Sequence, residues 1–128
     1  MSTPQRIQRL RKKGFKLQEA SQNGLPVKYV GRPTKWGNPF KLTTGGVVAA
    51  RFAKNKWLMC SEPGFETKDI VELYERWING ELKDYKYLPV PPSIEELRGY
   101  NLACFCPLSS ECHCDVILKL LNKPTTQL

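Results

Sequence analysis

Apolar positions recur along this chain in two helical patterns and several shorter runs. Ile70, Leu73, Tyr74, Trp77 and Ile78 repeat at i, i+3, i+4, i+7 and i+8, one face of an amphipathic helix. Thr67 is placed to cap its N-terminus, and Gly80 to follow its end as the C′ residue. Val116, Ile117, Leu120 and Leu121 predict a second helix, capped by Ser109 or Ser110 and ended by Asn122 and Pro124. Ser93-Ile94-Glu95-Glu96 reads as a capping box opening a short helix to about Arg98, stopped by Gly99.

Shorter apolar runs predict strands. Leu25 to Val30 follows a Ser21-Gln22-Asn23-Gly24 turn signal, is β-branched at Val27 and Val30, and ends at Gly31-Arg32-Pro33. Leu102 to Cys106 is a continuous apolar run of the buried-strand type, followed by a turn at residues 107–110. Ile7, Leu10, Phe15 and Leu17 fit either a short half-buried strand or a helical turn. Val47, Val48, Phe52, Trp57 and Leu58 could form a helix after Thr44, against which Gly45-Gly46 argues, so the role of residues 45–66 stays open. Residues 81–92 read as a polar, then proline-rich connection. The alternation predicts a small single-domain α/β sandwich over residues 1–128: a short, mostly parallel sheet with helices packed on it, residues 1–5 and 123–128 being loose.

At 128 residues, 41% hydrophobic and a mean hydropathy of −0.44, the chain has the profile of a soluble globular domain. It offers no membrane-length apolar stretch and no apolar signal core, so a cytoplasmic protein with no membrane partner is expected. Charge changes the picture more. Residues 1–41 hold ten basic residues and one acid, Glu19, a net +9 that leaves −1 for the remainder. Such a basic third on a near-neutral body suits phosphate, as nucleotide or nucleic acid; alone, it is equally a solvated face.

Four of the five cysteines and the single histidine fall within residues 104–114. An odd count cannot pair fully within one chain, and Cys104 and Cys106, two apart on one strand face, are poorly placed to bridge. Reduced thiols are expected. Three chemistries compete. Cys104, Cys106 and Cys112, with His113 or Cys114 as the fourth, are candidate zinc ligands, but at spacing unlike the usual paired-cysteine pattern. Cys112, in the first turn of the last helix, could be an activated thiolate with His113 as base, against the reading of the cysteines as small buried hydrophobes. Finally, the backbone N–H groups near Ser110 could bind an anion, with Asp115 accepting from a sugar hydroxyl. The rigid loop 31–40 would then supply Gly31 for close approach, Arg32 and Lys35 for charge, Trp36 for stacking and Asn38 for hydrogen bonding. Core packing for Trp36 and a self-bonded turn for Asn38 are the plainer readings. Nothing around Cys60 suggests a role.

The segments Gly31 to Phe40, Ile70 to Ile78, Leu97 to Cys106 and Cys112 to Leu118 together resemble a small domain-of-unknown-function family of phages and bacteria. Its hallmarks are a G-R-x-x-x-W-G-N-P-F segment and a C-x-C…C-H-x-D-V-L segment. The likeness spans most of residues 6–121 and implies no assigned reaction. The family pattern carries a small residue at the Cys114 position, which sets Cys114 apart from the other candidates. The C-H-helix ending also resembles a second uncharacterised bacterial family with a C-H-R motif, where Cys114 stands in place of the arginine.

These features lead to one expected function: binding or processing of a nucleotide, nucleoside or nucleic-acid end between loop 31–40 and residues 110–115. Were the pocket catalytic, as a hydrolase or transferase, Cys112, His113 and Asp115 would act there. A zinc-stabilised, non-catalytic nucleic-acid-binding accessory protein is one alternative. A phage protein that inhibits a host factor or sequesters a signalling nucleotide is another.

Overall fold

The computed structural model describes residues 3–32, 34–54, 56–85 and 88–122. It is the small α/β fold expected, with one addition: two sheets rather than one. The first sheet joins β1 (Arg6–Gln8), β2 (Val27–Tyr29) and β6 (Asn101–Cys104). All its pairings are parallel and β6 lies at the centre, with Arg6 opposite Leu102 and Val27 opposite Asn101. Every residue of β6 is buried, which is why Leu102 to Cys104 reads as an uninterrupted apolar run, although the strand starts one residue earlier and ends two earlier than the run Leu102 to Cys106.

The second sheet is an antiparallel meander of β3 (Phe40–Leu42), β4 (Val48–Ala53) and β5 (Lys56–Met59). It occupies much of the 45–66 segment and answers the helix-or-not question there. Gly46 has φ +81, and a Cβ on it would meet the Phe65 carbonyl oxygen at 2.7 Å. A helix after Thr44 is excluded by that backbone; a single 3-10 turn at Thr44–Gly46 leads into β4 instead.

Helix α1 (Thr67–Ile78) buries Tyr74 and Trp77 and lies against β3 and α2. Its cap is Glu66, one residue earlier than Thr67, because Glu66 and Asp69 exchange backbone hydrogen bonds as a capping box. Its end follows the sequence: Gly80 donates to the Trp77 carbonyl and Glu81 to that of Arg76, the Schellman arrangement around a left-handed glycine. Helix α2 (His113–Asn122) packs on β6 and β1. The short helix expected after Ser93 is only a 3-10 turn at Glu95–Leu97.

The core gathers Val30, Trp36, Phe40, Val48, Tyr74, Trp77, Leu97, Leu102 and Ile117 from both sheets and both helices. Each buried aromatic polar group in it has a carbonyl partner. Tyr74 donates to Trp36 at 2.6 Å, Trp77 to Pro89 at 2.8 Å and Trp36 to Ser93 at 3.0 Å. Pro33, Pro124 and the expected loose ends at residues 1–2 and 123–128 lie outside the described residues. Among the described residues, no helix is long and apolar enough to cross a membrane.

Candidate functional site: a thiol-floored pocket

Strands β2 and β6 run parallel and adjacent, so the chain leaves both at the same edge of the first sheet. After β2 comes the loop of residues 31–40; after β6 comes the turn that leads to α2. A pocket of about 240 Å³ opens between them. Gly31, Arg32 and Asn38 line it from the first loop, Cys104, Cys106, Cys112 and His113 from the second. Larger hollows lie elsewhere: about 590 Å³ between α1 and α2, and about 660 Å³ of mainly apolar wall beside β4 and α1. Neither touches the clustered thiols.

Loop 31–40 is shaped by close backbone approach. A Cβ on Gly31 would lie 2.5 Å from the Tyr29 phenol oxygen, and one on Gly37 would lie 2.9 Å from Arg32 Cγ. Tyr29 folds back over Gly31 and donates to the Arg32 carbonyl at 2.7 Å. Asn38 is buried and occupied: its oxygen accepts from Phe40 N–H at 2.9 Å, and its amide donates to the Ile70 carbonyl at 3.1 Å. Its role is to lock the loop onto α1.

Not all of the expected constellation converges. Trp36 is in the core, not on the pocket wall, because its indole N–H is claimed by Ser93. Lys35 reaches Glu96 at 3.2 Å and lies over Trp36, away from the pocket. Ser110 is committed to its own turn: its N–H donates to the Pro107 carbonyl at 2.9 Å and its carbonyl accepts from Arg6. Asp115 pairs with the same arginine at 2.8 Å, outside the pocket. In their place stand residues that the sequence did not single out. Arg11, Tyr29, Phe105 and Glu111 line the pocket. Arg11 lies 4.0 Å over the Phe105 ring, and Arg9 lies 4.7 Å over Tyr29, a layered cation–aromatic shelf at the mouth.

The floor is sulfur. All five cysteines are free thiols, as expected. The Sγ atoms of Cys104, Cys112 and Cys114 all lie within 4.8 Å of one another and are buried. The Cys104 and Cys112 sulfurs are 2.9 Å apart. The half-buried Cys106 thiol interacts with both Cys104 and Cys112. Cys114 therefore belongs to the cluster although its position in the sequence pattern set it apart. Hydrogen bonds from the Cys106, Cys112 and Cys114 thiols hold Cys104 far below the usual thiol range. Its hydrogen bond to Cys104 in turn pushes Cys112 far up, with those to Cys106 and Cys114 adding to it.

Cys112 has another task. It immediately precedes α2, which begins three residues later than a Ser109 cap and two later than a Ser110 cap would place it. Its sulfur accepts from the Cys114 N–H at 3.5 Å, so a thiol takes the place of the expected hydroxyl cap. His113 is buried, and its Nε2 lies 2.9 Å from the Val30 carbonyl oxygen. A carbonyl only accepts, so Nε2 carries the hydrogen and Nδ1, 3.5 Å from Cys112 Sγ, presents its lone pair to that thiol. Burial, outweighing the Val30 hydrogen bond, lowers the pKa of His113 and keeps the ring neutral. His113 is thus packed against the buried Cys112 thiol, with its other nitrogen already engaged by Val30.

Arg6, from β1, closes the thiol turn. Its Nη1 donates to the Ser110 carbonyl at 2.7 Å and to Asp115, while Nη2 donates to the carbonyls of Pro107 and, at 3.5 Å, Cys106. Its side chain is only 9% exposed. Burial alone would lower its pKa, but Cys112, Asp115, Cys104 and Cys114 together raise it.

No curated protein and no solved structure matches the chain. The G-R-x-x-x-W-G-N-P-F loop and the thiol turn, the two segments that build this pocket, both fall inside a single family match over residues 7–123, and the chain belongs to that family, described as Domain of unknown function (DUF4326).

Proposed function

We propose that the pocket binds a phosphate-bearing ligand of the nucleotide class, such as a mononucleotide or the phosphorylated end of a nucleic acid. One observation carries this reading: the pocket lies at the carboxyl ends of the adjacent parallel strands β2 and β6, and is lined by Arg11 and Arg32 with Tyr29 and Phe105. Parallel sheets receive ligands at that edge, where both loops are free to diverge. Guanidinium groups fit phosphate oxygens bidentately, and aromatic faces stack bases without demanding a particular one. A volume of about 240 Å³ is below that of a typical drug-sized site, so it suits one base or one ribose phosphate rather than a dinucleotide. The rest of a longer strand would run over the Arg9 and Arg11 shelf.

Binding is favoured over turnover. Cys112 is 1% exposed and its pKa is raised, and His113 spends Nε2 on Val30. Asp115, the third residue expected to act, faces Arg6 instead of the pocket.

The test is calorimetric titration with a nucleoside, its 5′-monophosphate, and a single-stranded oligonucleotide with and without a 5′-phosphate. Phosphorylated ligands should bind at least about tenfold more tightly than their unphosphorylated counterparts, and Arg32→Ala should remove about tenfold or more, the worth of one charge-assisted hydrogen bond. Equal affinity for phosphorylated and unphosphorylated ligands, or binding indifferent to both Arg32→Ala and Arg11→Ala, would refute the proposal.

A further inference from the structure

We propose that Cys104, Cys112 and Cys114, completed by Cys106, bind one zinc ion in a tetrahedral all-thiolate site. This goes beyond the pocket's ligand and does not depend on it.

Geometry is the first ground. Zinc–sulfur bonds of about 2.3 Å in a tetrahedron put neighbouring sulfurs roughly 3.8 Å apart. The three buried sulfurs, mutually within 4.8 Å and with one pair at 2.9 Å, straddle that spacing. Rotation about side-chain bonds, without backbone movement, would even them out. Cys106 stands beside Cys104 and Cys112, on the pocket side, and supplies the fourth corner.

Spacing in the sequence argues against such a site only when the chain is pictured as a conventional knuckle. Here C-x-C spans the end of a strand and the first turn after it, while C-x-C at 112–114 spans a helix cap and the first turn of that helix. The two pairs face each other across the turn of residues 107–111. Small apolar residues would fill this corner of the core equally well without bringing three buried sulfurs within 4.8 Å of one another and a fourth beside two of them. Soft thiolates in a tetrahedral set select zinc over magnesium or calcium.

Charge is the second, independent ground. Arg6 Nε is, among the described residues, the only buried side-chain nitrogen or oxygen without a hydrogen-bond partner. A buried guanidinium N–H needs an acceptor, and four thiolates on a divalent ion, with a net charge of −2, would provide sulfur acceptors beside it. The other Arg6 nitrogens are already committed to the turn that carries the cysteines, so one side chain would close the turn and offset the site's charge. His113 stays outside the ligand set, its ring anchored to Val30. Binding releases the thiol protons to solvent as each Zn–S bond forms, with no change of oxidation state.

The experiment uses the full chain purified under reducing conditions without added metal. Elemental analysis should find one zinc per chain, and titration with a mercurial should release it as four thiols are modified. Replacement by Co²⁺ should give a thiolate charge-transfer band and the visible bands of tetrahedral cobalt. Cys106→Ser, at the half-buried corner, should leave a folded protein that holds zinc at least the roughly 10–100-fold more weakly that even a second-shell change costs. Cys60→Ser, away from the cluster, should retain full zinc. Well-folded protein with less than half an equivalent of zinc after equilibration with Zn²⁺ would overturn the proposal. So would stoichiometric iron in place of zinc, or a Cys104–Cys112 disulfide formed without metal. Should the buried variants fail to fold, metal content and thiol release on the unmodified chain still decide the matter.

Discussion

Arg6 is expected to be the most sensitive residue of the edge strand β1, and the structure allows the cost of its removal to be worked out. Arg6→Ala removes two short charge-assisted hydrogen bonds to the carbonyls of Ser110 and Pro107, a long one to Cys106 at 3.5 Å, and the ion pair with Asp115. Hydrogen bonds to charged groups contribute about 1.5–3 kcal/mol each, at the lower end where the acceptor can reach water, as at Pro107 and Ser110. The ion pair adds about 0.5 kcal/mol, because the Asp115 carboxylate is 51% exposed. The long bond to Cys106 adds little. The sum is about 3.5 kcal/mol, or about 13 °C in Tm for a domain of this size. Asp115→Asn, which removes only the ion pair, should cost under about 1 kcal/mol. Urea denaturation of both variants, with hydrogen exchange followed at residues 107–112, separates the two contributions. The turn should lose protection in Arg6→Ala and keep it in Asp115→Asn. If Asp115→Asn costs as much as Arg6→Ala, or Arg6→Ala costs less than about 1 kcal/mol, Arg6 is not a latch on the turn and the reasoning fails.

Further perturbations test other parts of the fold. Burial, with nearby Cys114 and Cys112 adding to it, pushes the Tyr74 phenol well above the usual tyrosine range. The unfolded chain therefore ionises first, so this residue's contribution is full below about pH 10 and falls as the pH rises beyond it. Tyr74→Phe should lose about 1–3 kcal/mol at neutral pH, since the Trp36 carbonyl loses its donor, yet show a shallower alkaline decline in urea melts. Gly46→Ala should destabilise more than Gly45→Ala: both positions have φ near +80, but only at Gly46 would the Cβ strike backbone, at 2.7 Å from the Phe65 oxygen. Gly45→Ala should cost the about 1–2 kcal/mol of a left-handed non-glycine residue, and parallel thermal melts compare the two. Asn101 is fully buried, accepts from Gln5 N–H and donates to Ser21 and Asn23. Asn101→Ala should cost about 3 kcal/mol by urea denaturation and speed amide exchange at Gln5.

What the sequence disclosed divides along physical lines. Both helices were legible because each buries a continuous face, and β2 and β6 because their runs are apolar and bounded by turns. The second sheet was not, because only the start of β4 is buried, the end of β4 and most of β5 are exposed, and their alternation is broken by a register shift between Arg51 and Ala53. At the site, Gly31 and Arg32 carry their own signal, glycine for close approach and arginine for charge. Trp36 misled because its direction is set by the Ser93 carbonyl, 57 residues away, which no local pattern reveals. Arg6 was hidden for the same reason: its partners lie 100 or more residues along the chain. Cys114 was masked by its neighbours, since only the capping geometry of Cys112 turns both sulfurs toward Cys104.

The central place of β6 has a consequence for how the molecule assembles. β1 and β2 do not pair with each other; both hydrogen-bond only to β6, which comes more than 70 residues after β2. The meander β3–β4–β5, by contrast, pairs only near neighbours. Loop-closure entropy makes the distant pairings slow, so the meander should order first and the parallel sheet last. Both loops of the pocket and all four clustered thiols hang on that last step. A folding intermediate would therefore expose basic N-terminal strands and reactive sulfur together, and reducing conditions should raise the refolding yield far more than they alter the stability of the finished fold.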